Sequence, residues 1–366
     1  LNHQRFVYPS LINIHDHLRG DYLPRVGPPP GTYYLNWSEW DRDLKSSPVF
    51  QERANISLMD AYLLGAYKNL FSGVCTVNDH FPHEFNEIFL RRLPIRAIRE
   101  YTLAHECSSF DLKWGDGIFI EHRRALKRNH PFITHLEEGF DEESQRGIEI
   151  LMEHKALDSH AVLIHCIGFT DEDIRRVQAA GAHVVWCPAS NMFMFNVTCK
   201  IRKLLKAGIN VSLGTDSTHT GSVNLLEELR FARTLYRNLY GEDLSPKILY
   251  KMVTENPAHA LRVSSSLGTL EEGKIADLLI THRIVEDPFE NLLKIKLEDI
   301  ELLILSGAPI YGTEEFMDLF ADNEKVYTRI KMKGTTRKVV GEPKTLLERI
   351  RKQVGFKKVL DYMPLD

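Results

Sequence analysis

Short apolar runs alternate along this chain with longer stretches whose apolar positions recur every three or four residues. The first run reads as a strand over residues 6–14. Others cover Val74-Cys75-Thr76-Val77, residues 95–102, Pro131-Phe132-Ile133-Thr134, Ala161-Val162-Leu163-Ile164, 183–187 and 209–213. Runs of this length, rich in β-branched residues, predict buried strands. Between them the spacing predicts helices over 56–71, 85–92, 121–128, 142–154, 171–180 and 198–207. Thr170 is suited to cap the helix 171–180, with Asp173 three residues on and Gly181 as its stop. From 104 to 116 the pattern is poor and predicts no clean element.

Strand and helix in alternation imply βαβ units and a parallel sheet. Seven or eight such units over about 250 residues fit an α/β (β/α)8 barrel better than an open sheet. The segment from Ile95 to His135 is short for two full units, so the third or fourth strand is expected to be irregular. The barrel is expected over residues 6–262. Residues 263–366 then form a small β appendage, with strands in 268–280 and 299–305, and a C-terminal helical segment packed on the barrel. That helix, over 343–356, brings Leu346, Leu347, Ile350 and Val354 to one side. Gly27-Pro28-Pro29-Pro30-Gly31 reads as part of a long loop.

Composition narrows the class. Of 366 residues 43% are hydrophobic and 26% charged, a globular profile. A net charge of -4 gives no reason to expect nucleic acid or an acidic membrane as a partner. No stretch approaches the roughly 20 apolar residues of a membrane span. The first residues lead straight into a strand, so no signal peptide is expected. Five cysteines without regular spacing argue against a disulfide framework and for a reducing, cytoplasmic setting.

The polar residues that end the apolar runs carry the chemistry. In Ile14-His15-Asp16-His17 the two histidines fall on one face of an extended strand and can share a metal ion. His17, His80, His135, His165 and Asp216 each stand at the carboxyl end of a predicted strand, the end that a barrel gathers at one face. His15, His17, His135 and Asp216 would offer three nitrogens and one oxygen. That set suits zinc or ferrous iron with a position left for water. Glu138 is a candidate proton carrier if the chain bends after His135, a bend that Gly139 makes available. Glu137 competes for that role; otherwise it is a solvated or ion-paired surface residue. Asp216 could also accept a proton from the same water. His165 is assigned a hydrogen bond to that water or to the tetrahedral centre, with metal ligation as the alternative. His80, Glu100 and His219 are candidate substrate-binding residues.

These motifs resemble the amidohydrolase superfamily, and within it the branch of cytosine, guanine and S-adenosylhomocysteine deaminases and triazine hydrolases. The likeness runs in order through residues 9 to 280. It passes through His15-Asp16-His17, Gly73-Val74-Cys75-Thr76-Val77, His135-Leu136-Glu137-Glu138, Ile164-His165-Cys166 and Leu213-Gly214-Thr215-Asp216, and includes Pro188-Ala189-Ser190-Asn191 and Gly273-Lys274-Ile275-Ala276-Asp277-Leu278. It implies one divalent metal, zinc before iron, on His15, His17, His135 and Asp216, with Glu138 as proton shuttle and His165 polarising the bound group. Ser190 and Asn191 would either support the mouth of the site or form a tight turn capping a helix. Binuclear branches use a carboxylated lysine on the fourth strand; no apolar strand runs into Lys113, so a single metal is expected. Relatives carry several β-sandwich strands ahead of the first histidine pair. Only fourteen residues precede His15, so that sandwich is expected to be reduced, or the sequence starts late.

The function expected is hydrolysis of a C–N bond, foremost deamination of a heterocyclic amine. The alternatives are an amidase or a halide-releasing hydrolase on the same metal, and an inert barrel serving in binding or assembly. The partner is a small-molecule substrate; a homo-oligomer is implied by the resemblance alone.

Overall fold

In the computed structural model, residues 4–105, 112–320 and 326–365 are described. The stretch predicted as one strand over 6–14 is two. Strand β1 (Arg5–Pro9) ends at Ser10, whose N–H donates to the Asp277 carbonyl at 2.9 Å, and β2 (Leu11–Asp16) starts in a different sheet. The parallel strands continue as β3 (Val74–Asp79), β4 (Arg96–Ala97), β5 (Thr102–Leu103), β6 (Phe132–Leu136), β7 (Ala161–His165), β8 (His183–Trp186) and β9 (Val211–Leu213). They form two arcs, β2-β3-β4 and β5-β6-β7-β8-β9.

The arcs meet at two seams. At one, the Asp216 N–H beyond β9 donates to the His15 carbonyl of β2 at 3.1 Å. At the other, only residues 98–101 separate β4 from β5, and no helix lies between them. Neighbouring parallel strands need a crossover of about a dozen residues or more. β4 and β5 are therefore successive halves of one extended path, the first pairing with β3 and the second with β6. This is the irregularity that the short segment predicts. Ile12, Ile14, Ile133, Val162, Ile164 and Val185 come together from β2, β6, β7 and β8 to fill the interior. Burying each such side chain contributes about 1.5–3 kcal/mol.

Helices Leu58–Phe71, His83–Leu90, Ile118–Arg128, Gly147–Glu153, Asp171–Ala180 and Ile201–Lys206 run between the strands. Thr170 caps Asp171–Ala180 in a full capping box with Asp173. Two helices that the pattern does not predict follow the Pro/Gly loop. Trp37–Ser46 is capped by Asn36, which accepts the Ser38 N–H at 3.1 Å. Pro48–Ala54 is capped by Ser47, which accepts the Phe50 N–H at 3.1 Å. Trp37 and Trp40 pack with Tyr34, Ile167, Met194 and Phe195, which holds these helices over the strand ends.

A six-stranded antiparallel sheet is built from β1 with β10 (Leu278–His282), β11 (Ile300–Leu305), β12 (Ala308–Thr313), β13 (Tyr327–Met332) and β14 (Thr335–Val340), in the order β1-β10-β11-β12-β14-β13. The sheet thus takes its edge strand from the chain start, so residues 5–9 pair outside the barrel to which the sequence reading gives them. Helix Pro343–Val354 buries Leu346, Leu347 and Ile350, and Arg349 pairs with Asp60 of helix Leu58–Phe71 at 2.6 Å. No helix among the described residues is long and apolar enough to cross a membrane.

Candidate metal centre

Strict alternation would put Asn13 and His15 of β2, and His17 just beyond its end, on one face. The pairing of β2 with β3 slips between Asn13 and Asp16. Asn13 and Asp16 consequently share the side facing helix Leu58–Phe71, where Asn13 Nδ2 donates to Asp16 Oδ2 at 3.1 Å and to Asn69 Oδ1 at 3.0 Å. His15 and His17 turn to the strand-end face together, their ring centroids 4.8 Å apart. Their Nε2 atoms lie 3.7 and 3.5 Å from Asp216 Oδ1.

Asp216 is held from its other side. Ser190 and Thr220 hydroxyls donate to Oδ2 at 2.8 and 2.9 Å, which leaves Oδ1 towards the histidines. Ser190 lies on helix Pro188–Phe195 and acts through this bond, not as part of a capping turn. Burial alone would raise the Asp216 carboxyl; His17 and His165 together with the Ser190 hydroxyl outweigh it and hold the group below its ordinary range.

His135, at the end of β6, stacks on His17 at 5.5 Å and stands 5.0 Å from the His15 ring. His80 packs against both, at 4.4 Å from the His135 ring and 5.3 Å from His15. Possible ligand atoms fall in three overlapping groups: His15 with His17 and Asp216, His15 with His80 and His135, and His135 with Glu138 and His165. Three of the four expected ligands thus share one group, and His135 joins them through His15. Both ring nitrogens of His15 and His80, Nδ1 of His135 and Nε2 of His165 are buried without a hydrogen-bond partner among the described residues. Buried polar atoms are ordinarily paired, so these orphaned nitrogens fit a cation that would take up their lone pairs. Burial, reinforced by the neighbouring imidazoles, holds His15, His80 and His135 well below their ordinary values, in the neutral form a ligand needs.

Glu138 reaches the same place by a bend that falls at Glu137, not at Gly139. Glu137 takes φ 51°, a left-handed conformation that costs a non-glycine residue energy. His165, Cys166 and Asp216 do the same at φ 71°, 52° and 53°. Gly139 serves close approach instead: a Cβ there would lie 2.7 Å from Asn36 Cβ and from Ser144 Oγ. Glu137 is neither solvated nor ion-paired; it is buried and accepts the Ile148 N–H at 3.2 Å, outside the cavity lining. Glu138 Oε1 lies 3.5 Å from His165 Nε2, and burial followed by the Asp216 charge pushes its carboxyl well above the usual range. His165 Nδ1 meets Asn191 Oδ1 at 2.8 Å. An amide oxygen accepts only, so Nδ1 carries the proton and Nε2 presents its lone pair.

These groups form the floor of a cavity of about 230 Å³. His17, His135, Glu138, His165, Asp216 and His219 line it; Lys113 does not. His80 sits behind the lining, among the histidines. Glu100 is exposed and borders a separate surface hollow, so the structure does not bring it to the site. His219 accepts from Arg53 Nη1 at 3.0 Å, and burial, then the Arg53 charge, takes it down to about 3.

The pattern reading misses the walls. Trp37, Trp40, Leu44 and Phe50 come from the two unpredicted helices, Arg19 follows His17 by two residues, and Trp114 and His105 come from the stretch without a pattern. The available signals were the Asn36 and Ser47 caps and the strand-end position of His105.

Comparison with known proteins agrees with this architecture. The 5-methylthioadenosine/S-adenosylhomocysteine deaminase of Caldanaerobacter subterraneus is 29% identical over 243 residues, covering 64% of this chain and 54% of that protein. A 5'-deoxyadenosine deaminase of Methanocaldococcus jannaschii is 28% identical over 227 residues, covering 56% and 52%. The chain therefore spans about half the length of these curated relatives. Among solved structures, a zinc-bound adenosine deaminase of Xanthomonas campestris superposes with TM-score 0.72 over 96% of this chain and 85% of that one, at 16% identity. An atrazine chlorohydrolase of Arthrobacter aurescens complexed with zinc gives 0.71 over 96% and 88%, at 19% identity. Likeness at such identities is likeness of fold. The profile of the Amidohydrolase family matches residues 121–312, from the helix before β6 to the end of β12. A match over more than half of the sequence, through three of the strands whose ends build the cavity floor, makes this chain a member of the amidohydrolase family.

Proposed function

We propose that the protein is a metal-dependent hydrolase of carbon–nitrogen bonds that deaminates a heterocyclic amine. One observation carries the reading: unpaired imidazole nitrogens converge with Asp216, Glu138 and His165 on the floor of one cavity. The deaminase relatives support the choice of leaving group.

In this reading His15, His17, His135 and Asp216 hold one divalent metal, zinc first. His80 stands as a neighbour able to ligate or to brace those rings. A cation bound there lowers the pKa of water towards neutrality, so that hydroxide is available as nucleophile. Ser190 and Thr220 fix the Asp216 carboxylate so that one oxygen faces that position. His165, its tautomer set by Asn191, accepts a hydrogen bond at Nε2 from the attacking water and orients it. Glu138 takes the proton from that water and delivers it to the departing nitrogen, which leaves as ammonia. Its burial suits a carboxyl that must both hold and release a proton near neutral pH.

The test is ammonia release from a panel of purines, pyrimidines and pterins, with metal analysis of the same preparation. About one zinc per chain and ammonia from at least one amine are expected, and Glu138→Gln keeps the metal while losing turnover. Metal present with no ammonia from any amine would turn the reading towards amide or halide leaving groups.

A further inference from the structure

Two guanidinium groups line the cavity without a counter-ion among the described residues. Arg19 lies over the Phe81 ring, 3.9 Å from its centroid, and Arg53 over Phe50 at 4.8 Å. Neither makes an ion pair with any carboxylate among the described residues. The partner of Arg53 is the neutral His219 ring, to which it donates at 3.0 Å. The third cation of the lining, Lys45, differs in that Asp41 neutralises it at 2.6 Å. Elsewhere Arg233 is held by Asp243 and Glu290 and Arg349 by Asp60, while Arg25, Arg262 and Arg337 donate to neutral oxygens instead.

Holding two like charges close together in a partly desolvated wall is unfavourable. The strain is visible at Arg53, where burial, with the Arg19 charge adding to it, brings the guanidinium down to about 10. The chain as a whole carries net charge -4, so these cations are not the local face of a basic protein. Arg19 is two residues past His17, and Arg53 reaches the cavity beside His219, three residues past Asp216. Both line the cavity whose floor holds His135, Glu138, His165 and Asp216. Guanidinium forks match carboxylate and phosphate oxygens in pairs, and the aromatic faces of Phe50 and Phe81 keep the two forks in place.

We propose that Arg19 and Arg53 form an oxyanion-recognising subsite, and that the substrate is an amine-bearing ring that also carries a carboxylate or phosphate group. The assignment of the ring amine rests on the deamination reading; the anion subsite does not.

Two experiments separate them. Calorimetric titration of the purified holoenzyme with benzoate, phenyl phosphate and benzamide reads the subsite without turnover. At least one anion is expected to bind about 10- to 100-fold more tightly than benzamide, the range of charge-assisted hydrogen bonds. That advantage is expected to shrink at about 0.5 M NaCl and to disappear in both Arg19→Gln and Arg53→Gln. Which anion leads tells carboxylate from phosphate. Equal binding of all three by the unaltered protein overturns the subsite, as does an anion preference that both variants retain, since the metal alone would then be the anion's partner. The second experiment is ammonia release from pterin against pterin-6-carboxylate, and from adenosine against its 5'-carboxylate and 5'-monophosphate. The anionic member of a pair is expected to lead in kcat/KM, and Arg53→Gln to remove that lead through KM. Silence from every amine defeats deamination and leaves the subsite to stand or fall on the anion titration; turnover that favours the neutral members overturns the subsite and leaves deamination standing.

Discussion

Replacing Lys68 by methionine perturbs a charge that no solvent reaches. Lys68 Nζ lies 2.7 Å from Asp21 Oδ1 and 3.0 Å from Asp16 Oδ2, with all three side chains fully buried. Burial lowers the ammonium pKa, but Asp16 and Asp21 more than offset this and keep it charged. At an effective dielectric of about 20, each contact is worth about 5–6 kcal/mol of attraction before desolvation is subtracted. The variant escapes part of that loss by protonating a carboxylate. At pH 7.5 this costs at most about 5 kcal/mol per group, from an unfolded pKa of about 3.9. Both limits agree with the roughly 3–5 kcal/mol lost when one member of a buried ion pair is removed. The sign with pH follows. The unpaired carboxylates of the variant have folded pKa values above their unfolded ones, so stability is kept below about pH 4 and lost as pH rises. Urea denaturation is expected to show Lys68→Met about 3–5 kcal/mol less stable at pH 7.5 and only about 1–2 kcal/mol less stable at pH 5. Adding Asp16→Asn and Asp21→Asn is expected to recover most of the difference at pH 7.5. A loss below about 1 kcal/mol at pH 7.5, or one equal at both pH values, refutes the reasoning.

Four further outcomes are expected. Asn191→Leu leaves the His165 Nδ1–H unpaired, so kcat falls about 10- to 100-fold while the bound metal stays near one per chain. Gly214→Ala sets a Cβ 2.7 Å from His15 Cβ, and competition with a chelator is expected to show weaker metal retention than in the parent. Glu228, fully buried and accepting the Ala189 N–H at 3.0 Å, is raised by burial to about 7. A raised folded pKa means stability is lost between about pH 4.5 and pH 7, so Glu228→Gln is expected to flatten the denaturation free energy across that window. Gly139→Ala is expected to cost about 1–3 kcal/mol in urea denaturation, through the contact with Asn36 and Ser144.

The strand ends were legible in the sequence because each joins an apolar run to ionisable residues. His15, His135, His165 and Asp216 all lie where that rule puts them. The cavity walls were not legible for a physical reason. Trp37, Trp40 and Leu44 do recur at helical spacing, but they are three apolar positions in a strongly charged stretch just after the Pro/Gly loop, and Pro48–Ala54 is too short to show a period. Lys68 was hidden in the opposite way. Its helix is apolar nearly all round, and a lone lysine there reads as the solvent-facing position; only the Asp16 between the two histidines hints at a buried partner. The left-handed turns at Glu137, His165 and Asp216 leave no mark in composition, since none is glycine. They follow from tertiary contacts that hold strained backbone in place. Glu100 falls within the stretch predicted as one strand over 95–102; that stretch breaks into β4 and β5, and Glu100 lies exposed between them, outside the cavity lining.

The central claim is that the histidine pair of β2 and the aspartate beyond β9 share one cation. Anomalous diffraction at the zinc absorption edge, from crystals of zinc-loaded protein, tests it most directly. The expected map has one strong peak bonded to His15, His17 and Asp216 at about 2.0–2.2 Å, with His135 as the fourth protein ligand. A peak elsewhere in the molecule, or an active crystalline enzyme with no peak between β2 and β9, would contradict the account.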